Sequence, residues 1–332
     1  MNRQMKVAII GTGGWGTANA LLLARLGHSV SLWGRNPDQV AQMRAQCANP
    51  QYLPGVALPG SVHLTADRAE AVADADIVAF APPSRFFGDV CRSFAGLIGA
   101  DTLAVSLTKG FCEKSHRRMS ELAEAILGTR RVAVLSGPSH AEEVARGIPT
   151  AIVAAATSPE TARTVQRVWN APTFRVYTSD DPVGVEIGGA VKNIIAIAVG
   201  CSDGLGYGDN TRAALITRGL AEIARFAGAC GAKPQTTAGL SGMGDLIVTC
   251  TSRHSRNRAV GERLGRGEAI ADILASMKMV AEGVWNAHVV RAMAKRLGVS
   301  MPITDAVYRV CHKGLPVTDA ITALMNRPLK DE

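Results

Sequence analysis

The chain has little of what builds a nucleic-acid surface or a stapled extracellular scaffold. Aromatic residues are 5% of its 332 positions and charged residues 19%. A nucleic-acid face combines a basic stripe with stacking rings, so no nucleic-acid partner is expected. The net charge of +8 still asks for an anion, and a small phosphorylated molecule fits better. The seven cysteines (Cys47, Cys91, Cys112, Cys201, Cys230, Cys250, Cys311) are odd in number and scattered, with no CxxC pair or metal-ligand spacing. They read as reduced core residues in a cytoplasm. No apolar run is long enough for a membrane anchor, which needs about 20 residues. The opening MNRQMKVAIIGTGG enters a strand without the apolar core of a signal peptide. The expectation is a soluble cytoplasmic protein with no stable membrane insertion.

Apolar side chains, in contrast, are plentiful. At 47% hydrophobic content, 332 residues fill two ordinary domains more readily than one giant core. The stretch at residues 183–201, VGVEIGGAVKNIIAIAVGC, reads as a buried helix. Between Ile187 and Val199 its only charged side chain is Lys192, and apolar residues fall on every side of the helical wheel. A lysine in such a helix either carries its charge out to water along its methylene stem or ends in a cavity as a usable acid or base.

The N-terminal half alternates strand and helix. Lys6–Ile10 is a short apolar run that breaks into Gly11-Thr12-Gly13-Gly14-Trp15-Gly16, followed by a helix over residues 17–26. Strand, GxGxxG and helix in that order form a dinucleotide-binding context. Gly11 permits the tight turn, Gly13 lets a pyrophosphate approach the backbone, and Gly16 lets the helix pack on the strand with its first amides facing the anion. The second strand, Ser29–Trp33, leads into Gly34-Arg35-Asn36, where an NAD-specific fold would place an acid on the ribose hydroxyls. Arg35 can instead face an adenosine 2′-phosphate, so NADP is favoured or at least tolerated beside NAD. Further strands are expected at 77–81, 103–107, 132–135, 151–155 and 174–177. Helices are expected at 86–98, at 120–127 and after Ser158-Pro159, a cap followed by a first-turn proline. This pattern predicts a doubly wound parallel sheet, with ligands outside the carboxyl ends of the strands. Lys109 follows one of those ends, where cofactor and substrate would meet.

Beyond Pro182 the period changes, and helices are expected at 210–227, 255–264, 269–276, 285–297 and 305–311 as well as at 183–201. The predicted fold is an α/β N-terminal Rossmann-like doubly wound sheet over 1–178, for the dinucleotide, followed by an all-α C-terminal domain over 179–332, for substrate and catalysis. Two glycine-rich interruptions, at 203–209 and 239–245, stand out, and the second delivers Asp245 from a tight turn. Ser255 is a good N-cap for a helix whose first turn carries Arg256 and Asn257, so amides and a guanidinium converge there on a phosphate. The bland reading of this basic segment is a solvated helix start. Asp203 and Asp245 lack a nearby second carboxylate or histidine, so no metal is expected.

With these residues assembled, the chain resembles the bacterial NAD(P)-dependent glycerol-3-phosphate dehydrogenases from the first strand to about Val310. The resemblance rests on GTGGWGTA, WGRNP, SLTKG, SGPSHAEEVARGIPT, VEIGGAVKNIIAIAVG, GLSGMGDLIVTCTS, SRNR, AEGV and MPITDAVY. It implies reduction of dihydroxyacetone phosphate to sn-glycerol 3-phosphate by NADPH or NADH, a supply of backbone for phospholipids. Carried onto this chain, it implies cofactor contacts at Gly14, Trp15, Arg35, Lys109, Ala141, Arg256, Val280 and Glu282. It implies substrate contacts at Lys109, Gly137, Ser139, Lys192, Asp245, Ser255, Arg256 and Asn257, with Lys192 as proton donor and acceptor. Two positions depart from the family's habit: His140 stands where Phe is common, and Asn36 where a second basic residue often follows Arg35. The competing readings are a ketopantoate-type reductase, which would want a carboxylate clamp, and a nucleotide-sensing protein with a silent site. Assembly stays open, with a homodimer compatible with the reading.

Overall fold

The run Lys6–Ile10 (β1) enters the middle of an eight-stranded sheet, and its side chains serve both faces. Val7 and Ile9 join one buried apolar cluster, Ala8 and Ile10 the other. The structure, a computed structural model, describes residues 3–277 and 279–329, which divide into two units, Met1–Glu186 and Ile187–Glu332. In the first unit, β2 (Ser29–Trp33) is followed by a separate antiparallel hairpin, β3 (Ala48–Asn49) and β4 (Leu53–Ala57). The main sheet continues with β5 (Val62–Thr65), β6 (Ile77–Phe80), β7 (Leu103–Ser106), β8 (Val132–Ser136), β9 (Thr150–Ala155) and β10 (Phe174–Ser179). Its strand order is β10-β9-β8-β7-β6-β1-β2-β5. The chain therefore leaves β1 in one direction and later returns to its other side at β6, which puts a topological switch point between them.

One expectation for this sheet is corrected. β9 runs antiparallel to β8, and β10 is parallel to β9, so the sheet is parallel only from β8 to β5. The link from β8 to β9 holds a single five-residue helix, α6, which packs against α1, and the chain comes back beside β8 in the opposite direction.

The helices of this unit are α1 (Gly14–Arg25), α2 (Pro37–Gln46), α3 (Arg68–Val72), α4 (Ser84–Phe94), α5 (Met119–Leu127), α6 (Ala141–Ala145) and α7 (Pro159–Trp169). α1 starts at Gly14, earlier than expected, because first-turn amides need no intrahelical partner and packing outweighs the low propensity of glycine. α2, absent from the expected elements, has clear start signals: the Asn36 side chain accepts from the amides of Asp38 and Gln39, and Pro37 opens the first turn. α4 ends at Phe94, short of residue 98. Ser158 caps α7 as expected.

The second unit contains helices and no strand among its described residues. α8 (Pro182–Gly204) begins in the first unit and runs into the second. It is followed by α9 (Asp209–Ala229), α10 (Pro234–Thr237), a π-helical turn at Leu240–Gly244, α11 (Asp245–Thr251), α12 (Arg256–Gly265), α13 (Ile270–Ser276), α14 (Glu282–Arg296), α15 (Pro302–Lys313) and α16 (Val317–Met325). By length and composition α8 could cross a membrane, but 89% of its most apolar window is buried inside the protein, as a core helix requires. α8 and α12 approach backbone to backbone. A Cβ on Gly200 would lie 2.1 Å from the carbonyl oxygen of Arg258, and one on Gly261 would lie 2.0 Å from that of Ile197. α15 is held by a buried carboxylate. Glu222 of α9 accepts from the amides of Ile303 (2.6 Å) and Thr304 (3.2 Å), and burial pushes its carboxyl above the ordinary range. Of the cysteines, Cys91, Cys201, Cys250 and Cys311 are core residues whose thiols burial pushes up to about 12, whereas Cys47 is exposed. The core reading therefore fails for Cys47, which ends α2 in a left-handed conformation, and holds only in part for half-buried Cys112 and Cys230.

Candidate active site

The glycine loop after β1 is built from backbone. Gly11 has φ +122°, and a Cβ there would come 3.2 Å from the carbonyl carbon of Ala81, beyond β6. A Cβ on Gly16 would fall 2.0 Å from the Gly11 carbonyl oxygen, so α1 packs on the turn only because residue 16 is glycine. Gly13 differs, with nothing within 4 Å of where its Cβ would sit. It also starts α1 with no side-chain cap, which leaves the first-turn amides uncapped at the positive end of a 12-residue helix. These features fit a dinucleotide pyrophosphate. A Cβ on Gly14 would lie 2.7 Å from the Tyr52 carbonyl oxygen and 3.7 Å from the Ala141 side chain, and Trp15 and Ala141 are both half-buried against the same apolar cluster.

Arg35 is exposed at the end of β2, with its guanidinium 5.8 Å from the Phe86 ring centre. Its neighbour Asn36 has its side-chain oxygen engaged in capping α2, so its departure from a basic residue serves the helix. Lys109, Gly137 and Ser139 come together. The Lys109 ammonium and the Ser139 hydroxyl both donate to the Gly137 carbonyl, each at 3.0 Å. His140 supplies the N-cap backbone of α6.

Lys192, in the second unit, does not carry its charge out to water. It is 5% exposed, and its ammonium donates to the Asp245 carboxylate and to the Thr249 hydroxyl, the latter at 2.6 Å. The ammonium thus ends inside, beside a carboxylate that is 1% exposed. Thr249 donates in turn to the Asp245 carbonyl at 2.6 Å. Asp245 arrives at the start of α11 from the π-helical turn rather than from a simple tight turn, and such turns collect at functional sites. A buried pair of this kind is stable only when further hydrogen bonds satisfy both partners, and Thr249 provides one.

The start of α12 combines two functions. The Ser255 side chain accepts from the Arg258 amide at 3.2 Å, the expected cap. Arg256 is exposed and donates to the Val280 carbonyl at 2.9 Å, just before Glu282 opens α14. Asn257 is buried. Its amide donates to the Asn193 side-chain oxygen and accepts from the Gly283 amide, each at 2.9 Å. Arg258 turns to Asp203, which also receives Arg212, so this part of the basic segment is structural. No sequence pattern marks Thr249 or Asn193. Thr249 lies one turn after Asp245 on α11, and Asn193 follows Lys192 directly.

Two family models match the chain: the NAD-dependent glycerol-3-phosphate dehydrogenase N-terminus over residues 6–162 and the C-terminus of the same enzyme over residues 181–322. The chain is 50% identical to a glycerol-3-phosphate dehydrogenase [NAD(P)+] of Moorella thermoacetica, covering 98% of this chain and 97% of that one. A crystal structure of glycerol-3-phosphate dehydrogenase from Coxiella burnetii is similar at TM-score 0.95 and 40% identity, over 98% of this chain and 99% of the other. A ketopantoate reductase structure from Ralstonia eutropha, at 19% identity and TM-score 0.63 over 96% of this chain and 100% of that one, shares the fold alone. The fold and glycine loop are those of a dinucleotide-binding protein, and the matches place the chain among the dinucleotide-dependent oxidoreductases. Within that class the chain belongs to the NAD-dependent glycerol-3-phosphate dehydrogenase family.

Proposed function

We propose that the chain reduces dihydroxyacetone phosphate to sn-glycerol 3-phosphate, reversibly, in the cytoplasm, and so supplies the backbone for glycerophospholipids. The observation that carries this reading is the buried ammonium of Lys192, held by Asp245 and Thr249. When bound, NADPH or NADH supplies hydride to the carbonyl carbon. As negative charge builds on the carbonyl oxygen, the Lys192 ammonium stabilises it and hands over a proton, giving the alcohol. In the oxidative direction a neutral Lys192 takes that proton back. Asp245 keeps the ammonium in place between turnovers, and Thr249 fixes its direction.

Gly11, Gly13, Gly14, Trp15 and Gly16 would hold the dinucleotide phosphates, with Ala141 alongside and Arg35 facing the adenosine ribose. Val280 and Glu282 stay assigned to the dinucleotide through the resemblance. Lys109, Gly137, Ser139, Ser255, Arg256 and Asn257 would hold the substrate. At α12 the cap uses one first-turn amide and leaves earlier ones for the phosphate, with Arg256 the first residue of that turn. Asn257 contributes mainly by fixing this turn to Asn193 and Gly283. The cytoplasmic assignment is supported by seven cysteines that are all free thiols. Steady-state rates with dihydroxyacetone phosphate, unphosphorylated dihydroxyacetone and a 2-keto acid, each with NADPH and with NADH, test the reading. Turnover should be high only on the phosphorylated ketone, and a preference for the keto acid would overturn it.

A further inference from the structure

A cavity of about 340 Å³ lies within the second unit, walled by α14, α15, α16 and the turn at Ser300 and Met301. Its volume is at the lower end of the roughly 300–1,000 Å³ typical of small-molecule sites. Its floor is apolar, with Ala294, Met301, Ala306, Leu315 and Leu324. Its rim is cationic: Lys295, Arg309 and Arg327 are exposed, and no described residue accepts a hydrogen bond from their side chains. The remaining lining charges cancel. Arg291 is paired with Asp305 and lies over the Tyr308 ring, 4.3 Å from its centre. The wall therefore presents uncompensated positive charge over an apolar floor, and it shares no residue with the Lys192 centre or with the dinucleotide loop.

We propose that this cavity binds an amphiphilic organic anion: a short alkyl or acyl body on the floor, carrying one phosphate or carboxylate headgroup that meets Arg309 and Lys295. Inorganic phosphate leaves the floor wet, and a neutral alkyl chain leaves the cations without a partner, so only the joined molecule uses both surfaces.

The test is calorimetric titration of the full chain with octyl phosphate, octanoate, octanol and inorganic phosphate, in the presence of saturating NADPH and glycerol 3-phosphate. Octyl phosphate should bind about tenfold or more tighter than octanol or inorganic phosphate, the range of a charge-assisted contact. The octanoate arm shows whether a carboxylate serves as well as a phosphate, and tight binding of either supports the site. Arg309→Ala should weaken octyl phosphate about tenfold, with turnover unchanged. Ala323→Trp, which fills the cavity from α16, should remove the advantage of the alkyl chain. The proposal is overturned if neither octyl phosphate nor octanoate binds tighter than octanol and inorganic phosphate, if the anion binds only when glycerol 3-phosphate is left out, or if both variants bind octyl phosphate as wild type does.

Discussion

The glycine loop of the first unit and the Lys192 centre of the second are made of different material. The glycine loop of the first unit uses main-chain amides, absent Cβ atoms and an uncapped helix start, and it opens onto empty space at Gly13. The Lys192 centre of the second unit uses side chains from two helices, with the ammonium and the carboxylate both buried. A backbone site holds a fixed partial charge that no single side-chain change removes. A side-chain site concentrates its chemistry in one atom and depends on partners distant in sequence. Substitutions should therefore have opposite signatures in the two places: binding without chemistry in the second, altered binding with intact chemistry in the first.

The largest effect is expected at Lys192. Lys192→Ala should lower turnover by about 10² to 10⁴ or more, the usual range for a lost acid or base with its charge stabilisation, while fluorescence titration shows NADPH binding nearly unchanged. Turnover within tenfold of wild type would return Lys192 to a structural role. The same variant strands the Asp245 carboxylate in the core, which should cost about 3–5 kcal/mol of stability in denaturant titration. Lys192→Met with Asp245→Leu should recover most of that loss and remain inactive, which separates chemistry from folding.

Arg35 tests whether the loop end of the comparison extends to cofactor choice. A charge-assisted contact to a 2′-phosphate is worth about 1.5–3 kcal/mol, so Arg35→Ala should weaken NADPH about 10- to 150-fold. NADH, which has no such group, should change little. Equal losses for both would make Arg35 a partner of Phe86 and nothing more.

How far these sites could be read in the sequence follows from the same division. The requirements of Gly11 and Gly16 are local, set by a turn and a close approach within six residues, so strand, loop and helix were legible together. Strand direction was not, because a period of two is the same for either polarity, and nothing in the residues of β9 marks its reversal against β8. Lys192 was legible as a buried charge, but its setting was not: Asp245 and Thr249 lie 53 and 57 residues away. The phase of α11 that turns Thr249 toward the ammonium is set by a π-helical turn that glycine content alone does not specify. In the basic segment, charge pattern could not tell Arg256 from Arg258, one exposed and the other committed to Asp203, whose side chain is 6% exposed.

Arg256 sharpens the second-unit side. Arg256→Ala should lower kcat/KM on dihydroxyacetone phosphate by about 10 to 10² and barely change the residual activity on dihydroxyacetone, because the phosphate lends its binding energy to orienting the carbonyl. An equal fall on both substrates would assign Arg256 to the fold, through its bond to Val280, and Lys109 would become the next candidate for the phosphate.

The smallest expected effect on stability, and the most direct test of a backbone site, is at Gly13. Its φ of −64° suits any residue, and an added methyl meets nothing within 4 Å. Alanine lowers the entropy of the unfolded chain, worth about 0.4–1 kcal/mol, but is the poorer residue at an N-cap by a similar amount. The two should nearly cancel, leaving denaturation midpoints within about 0.5 kcal/mol of wild type. The methyl would nevertheless occupy the space that a pyrophosphate needs, so NADPH and NADH should weaken together, in contrast to the one-sided loss at Arg35. Unchanged affinity for both dinucleotides in a stably folded Gly13→Ala would mean that the phosphates do not rest on this loop.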